Sequence, residues 1–131
     1  MDTTKEYIEM CEKATEVQGK YCSKFGDFNY IDNMDAVQIF GCSEAFHNSI
    51  IWLPRQDQLQ DMLELTVYDR ICDKLYKFTE WVKINATYER SNCSMEQLWL
   101  AFVMSEKFGK VWTGKEWHAE NNAENKKGVE K

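Results

Sequence analysis

Ser94-Met95-Glu96-Gln97-Leu98-Trp99-Leu100-Ala101-Phe102-Val103-Met104-Ser105-Glu106-Lys107-Phe108-Gly109 is the stretch from which the rest of the chain is best read. Ser94 followed three residues later by Gln97 has the form of a capping box, in which each side chain satisfies the other residue's backbone N–H. Gly109 is placed to close the segment in a left-handed conformation. Between these signals the residues from Leu98 to Met104 are apolar on every side, which a helix tolerates only when neighbours cover most of its circumference. The expectation is a helix over 94–108, buried at the centre of the fold.

Downstream, Lys110-Val111-Trp112-Thr113-Gly114-Lys115-Glu116-Trp117 reads as a short hairpin that brings two tryptophans together, although Thr-Gly is a weaker turn signal than Asn-Gly. From residue 119 the apolar period stops, and 119–131 is expected to be a disordered tail behind a single domain over 1–118.

Upstream, apolar or small residues at Ile71, Leu75, Phe78 and Val82, widened by Cys72 and Trp81, mark a helix over 69–85 whose stripe is expected to be core. Pro54 suits a helix start because its missing N–H is one of the first turn's unpaired donors. Leu59, Met62, Leu63 and Thr66 follow it at helical spacing. Further back, Phe28 and Tyr30 alternate with Asp27 and Asn29, Val37, Ile39 and Phe40 make a second short run, and Ile50-Ile51-Trp52 a third. These read as short strands parted by Asp32-Asn33 and residues 41–49. The first helix spans 3–18, with Tyr7, Cys11 and Ala14 on one face, Ile8 and Val17 flanking, and Glu6, Glu9, Glu12, Lys13 and Glu16 opposite; Gly19 stops it. The fold class is therefore α+β: a small antiparallel sheet of about three to five strands, four helices, and a terminal hairpin.

The chain has 131 residues and a net charge of −6, with 44% hydrophobic and 29% charged residues. That is a globular profile long enough for one core. The negative charge opposes non-specific binding to nucleic-acid phosphates. The longest apolar run, Leu98 to Met104, is far short of the ~20 residues of a spanning helix, and the start lacks the form of a secretory signal. A cytoplasmic location away from membranes is expected. Five cysteines, Cys11, Cys22, Cys42, Cys72 and Cys93, are odd in number and scattered. They read as small core hydrophobes of a reduced compartment, not as a disulfide framework or zinc knuckle.

No phosphate-binding loop, dinucleotide fingerprint, serine elbow or two-histidine zinc motif is written here, and nothing in the sequence calls for a cofactor or a metal. His47 lies five residues from Cys42 without an orienting third group. Polar chemistry gathers in an apolar frame only at Trp52, Arg55, Gln56 and Gln58. There a strand runs into a helix start, so unpaired N–H groups and the positive end of the helix dipole meet a guanidinium and two amides, a setting suited to an anion. Trp52 is a candidate stacking face for a base. The competing reading is that Arg55 pairs with a carboxylate and Trp52 is core.

Three stretches also resemble a family of small phage and prophage proteins of gut bacteria: 51–62 (Ile51-Trp52-Leu53-Pro54-Arg55-Gln56-Asp57-Gln58 and onward), 94–104 and 110–117. The opening Glu6-Tyr7-Ile8-Glu9-Met10-Cys11 is similar to that family's usual start. The chain departs from its pattern at Thr113, where the family has Asn or Asp. The resemblance implies a phage-encoded protein acting in a bacterial host's cytoplasm, and it brings no site residues with it. The leading expectation is a non-catalytic accessory protein that binds a host protein or a small anionic ligand, including a nucleotide, in a counter-defence role. A small metal-dependent hydrolase or nuclease is the alternative, and a virion or assembly component, which would be a homo-oligomer, is the third class.

Overall fold

The computed structural model describes residues 1–19, 26–39, 50–63, 71–85 and 93–120. Its architecture is α+β, with a three-stranded antiparallel sheet, a separate two-stranded hairpin and five α-helices among the described residues.

Helix α5 (Met95–Phe108) is the centre of the packing, with Gln97 and every residue from Trp99 to Met104 buried. Helices α1 (Lys5–Lys13), α3 (Gln56–Asp61) and α4 (Ile71–Asn85) and strand β4 (Lys110–Trp112) all lie against it. Ser94 Oγ accepts the Gln97 N–H at 3.1 Å, and Gly109 closes the helix at φ 62°. The expected capping box is made only by half. The Gln97 amide turns instead to the Asp2 carboxylate at 2.9 Å, because Asp2 presents a charged acceptor to it.

The first helix is not continuous over 3–18. It breaks at Ala14 (φ −82°, ψ 68°) and restarts as α2 (Thr15–Gln18). An unbroken helix would carry Gln18 into the middle of the Tyr7, Cys11 and Ala14 stripe, where an amide lacks partners. The break sets Gln18 against the edge of the sheet. There its Nε2 donates to the Trp52 carbonyl at 2.9 Å and its Oε1 accepts the Trp52 N–H at 3.0 Å, as a neighbouring strand would.

That sheet has the order β2–β1–β3, formed by β1 (Phe28–Ile31), β2 (Ala36–Ile39) and β3 (Ile50–Leu53). Tyr30 stands opposite Val37 on one side and Ile51 on the other. The β1–β2 connection is a single 3₁₀ turn, Asp32–Met34, followed by Asp35 at φ 45°. Aspartate is among the few non-glycine residues that enter this left-handed region readily.

Two helices differ from expectation. Pro54 is not the first residue of α3. Its carbonyl accepts the Tyr7 O–H at 2.5 Å, Arg55 stays extended as the N-cap, and the helix starts at Gln56. In α4 the expected core stripe is only half buried: Ile71 and Leu75 are 72% and 45% exposed, while Phe78 is buried. The helix docks through its C-terminal half. Phe78 stacks on Trp99 with ring centroids 3.8 Å apart, and Trp81 leans on Phe102 at 5.6 Å. Residues 64–70, which hold the remainder of the expected 54–66 segment and the start of the 69–85 segment, lie outside the described residues, as does the 41–49 loop.

Strand β4 pairs with β5 (Trp117–Ala119), bringing Trp112 and Trp117 to 5.1 Å as the sequence implies. Strand β5 runs past the expected boundary at 118. Ala119 is in β5, and Glu120 donates its N–H to the Gly109 carbonyl at 2.6 Å while its carboxylate accepts from Ser105 at 3.0 Å. The expected tail beyond it, 121–131, lies outside the described residues. No helix among the described residues is long and apolar enough to cross a membrane.

Candidate functional site

The four residues singled out by sequence do not share one role. Trp52 is buried at 6% exposure in the core, so its ring offers no open stacking face. Gln56, half-buried, opens α3. Arg55 and Gln58 meet through Asp27, which is 2% exposed. The Gln58 Nε2 donates to Asp27 Oδ1 at 2.6 Å, and Arg55 Nη1 stands 3.6 Å from the same oxygen. Gln58 Oε1 takes the Arg55 backbone N–H at 2.9 Å.

The guanidinium is engaged on three sides. Nη1 donates to the Gly26 carbonyl at 3.0 Å, Nε to Asp57 Oδ1 at 3.1 Å, and Nη2 to Asp57 Oδ2 at 3.4 Å. The Asp57 bond holds the Arg55 pKa above its ordinary value. Asp57 also lies in the first turn of α3, where a negative charge is favoured by the helix dipole. The chain thus supplies its own carboxylate at the place an outside anion would take.

A second place, which the sequence does not mark, has the form of a binding groove. It is an open cleft of about 480 Å³ between α1 and the β1–β2 hairpin. One wall is the α1 face bearing Lys5, Ile8, Glu9 and Glu12, which share a side because they are spaced i, i+3, i+4 and i+7. The other carries Tyr30, Asp32, Asp35, Ala36 and Val37; the apolar residues of the lining are half-buried and form its floor, while its carboxylates, Glu9 apart, are exposed along the rims. The Tyr30 O–H donates to Asp35 Oδ1 at 2.8 Å, a bond that raises the Tyr30 pKa and pins the turn. On α1, Lys13 reaches Glu9 at 2.9 Å across an exposed i, i+4 spacing.

In the sequence, Glu9 and Glu12 belong to a solvated helix face and Asp32 to a turn. The alternation of Tyr30 and the i, i+4 row on α1 are both visible there. What is missing is any signal that these two walls face each other.

The buried nucleophile types are chemically quiet. Burial pushes the Cys11 thiol far above its usual range, and burial with Cys11 nearby does the same for Tyr7. A thiol held protonated in apolar surroundings is a poor nucleophile. Cys11 is thus the core hydrophobe the sequence implies, whereas Cys72 is exposed on α4 and Cys93 half-buried. Cys22, Cys42 and His47 lie outside the described residues. His118 is exposed on β5 and meets Glu116 at 2.9 Å. Among the described residues no group of three or more His, Cys, Asp or Glu is gathered as a metal set.

No family model, curated protein or solved structure matches the chain.

Proposed function

We propose that this chain is a non-catalytic binding protein, a phage accessory factor whose target is a host protein. The observation that carries the reading is the amphipathic groove between α1 and the β1–β2 hairpin, a concave surface with an apolar floor that the fold leaves open. Concave, partly apolar clefts with a few polar groups are the usual form of a recognition site. The resemblance of residues 51–62, 94–104 and 110–117 to phage and prophage proteins supports the setting, a bacterial cytoplasm. Counter-defence, in which capture blunts a host protein's action, fits such a binder.

A small anionic ligand at Arg55 is the weaker form of the proposal. Such a ligand has to displace Asp57 from a two-point pairing with the guanidinium. A nucleotide panel tested by calorimetry should therefore give no heat with the wild-type chain.

The test of the main reading is recovery of the tagged chain from bacterial host cells after brief chemical crosslinking. A stoichiometric host protein, crosslinked to groove residues and absent from a tag-only control, is the expected result. Recovery of the chain with nothing above that control overturns the reading.

A further inference from the structure

Resting on that reading, we infer that the groove takes a basic, amphipathic segment of the partner protein, with apolar side chains on the Ile8, Ala36 and Val37 floor and lysine or arginine side chains against the acidic rims. Among the described residues lining the cleft, the carboxylates Glu9, Glu12, Asp32 and Asp35 outnumber the lysine, Lys5. A cleft lined by one sign of charge over low-dielectric walls focuses the field and draws the opposite charge. An anion or a phosphate backbone is repelled by the same arrangement.

The spacing favours an extended cationic surface over a point charge. The carboxylates sit on two separate walls, and among the described residues no three of them gather as ligands for one ion. The Glu9 pairing with Lys13 is exposed, so exchanging Lys13 for an incoming cation costs little. The apolar floor adds what a simple polycation cannot use. Ile8, Tyr30 and Val37 are half-buried at the margin of the core and offer anchorage to side chains spaced i, i+3 and i+4 on an amphipathic helix.

The experiment is fluorescence anisotropy with a labelled helical peptide of leucine and lysine in amphipathic order, at low and moderate salt, using the full chain. The triple variant Glu9→Gln/Glu12→Gln/Asp32→Asn should weaken binding at least about tenfold, in line with the loss of several charge contacts. A control with the same change in net charge elsewhere, Glu80→Gln/Glu106→Gln/Glu116→Gln, should change it less than about twofold. Circular dichroism melts check that both variants fold; Glu12 and Asp32 are exposed and Glu9 partly so. Equal losses in the two variants overturn the inference, because attraction is then a property of net charge alone. Equal affinity for a lysine peptide without leucine also overturns it, since the floor then contributes nothing. Capture of a host protein whose binding survives the groove substitutions overturns this inference and leaves the broader reading standing. Failure to capture any host protein overturns the broader reading instead.

Discussion

A carboxylate that accepts hydrogen bonds from two helix starts at once couples local charge to the stability of the fold, and Asp2 is placed in this way. It accepts from the Thr4 N–H at 2.8 Å, the Ser94 hydroxyl at 2.5 Å and the Gln97 amide at 2.9 Å, joining the N-caps of α1 and α5. Burial opposes its charge, but these bonds from Ser94, Thr4 and Gln97 outweigh burial and hold its pKa below the ordinary value. A depressed folded-state pKa gives stability that is complete above the unfolded value, about 3.9, and is lost as pH falls through the folded one. Asp2→Asn should therefore cost about 1–2 kcal/mol near neutral pH, and the gap to wild type should narrow on acidification to about pH 2.5, below the unfolded value. Denaturant melts at the two pH values measure it, and an unchanged gap would refute the assignment. Cysteine accessibility gives a second residue-scale expectation. Alkylation of the native protein followed by peptide mapping should modify Cys72 rapidly and leave Cys11 unmodified until the chain unfolds, as exposure and the raised thiol pKa require. The two cysteines look alike in sequence, each preceded by an apolar residue and followed by an acidic residue and a lysine on an amphipathic helix. Only the docking of α1 by its whole length and α4 by half of its length separates them.

At the scale of elements, local signals carry most of what is legible in the sequence. Ser94 and Gly109 bracket α5 because cap and left-handed stop are properties of a few adjacent residues. The alternation of Phe28 and Tyr30 shows β1 for the same reason. Gly109 at φ 62° has open space where a Cβ would stand, so Gly109→Ala meets no clash and its cost is purely conformational. That cost should be about 1 kcal/mol, read as a lower denaturant midpoint with an unchanged slope. The role of Gln18 is the opposite case. Its amide completes the β3 edge across 34 residues, a pairing that no periodicity encodes. Gln18→Leu removes both bonds to Trp52 and should cost about 1–3 kcal/mol. Gln18→Glu retains an acceptor for the Trp52 N–H and sets a carboxylate against the Trp52 carbonyl, so it should not rescue the loss. If Gln18→Leu melts as wild type does, the edge is held by something other than this amide.

For the molecule as a whole, the C-terminal hairpin is a clasp on the N-terminal helices, and this explains why its tryptophans belong to the fold. Trp117 Nε1 donates to the Met10 carbonyl at 3.0 Å, Lys13 donates to the Lys115 carbonyl at 2.5 Å, and Lys110 pairs with Glu16. Burial opposes the Glu16 charge, and the Lys110 bond outweighs it, lowering the Glu16 pKa. Each contact links residues about a hundred positions apart, so the sequence shows a hairpin without showing what it closes on. The candidate groove is hidden for the same reason, since its walls come from α1 and from a turn in a different part of the chain. Two truncations test the clasp. A chain ending at Glu120 keeps these hairpin contacts and should melt close to the full-length protein. One ending at Glu116 loses the Trp117 packing on Trp112, the bond to Met10 and both bonds of Glu120. Partial burial of a large aromatic side chain and three hydrogen bonds together contribute on the order of 4 kcal/mol, or roughly a 15 °C fall in melting temperature for a domain of this size. If the two truncated chains melt together, α1 is anchored by α5 and the sheet alone, and β5 is an ornament on a core already complete without it.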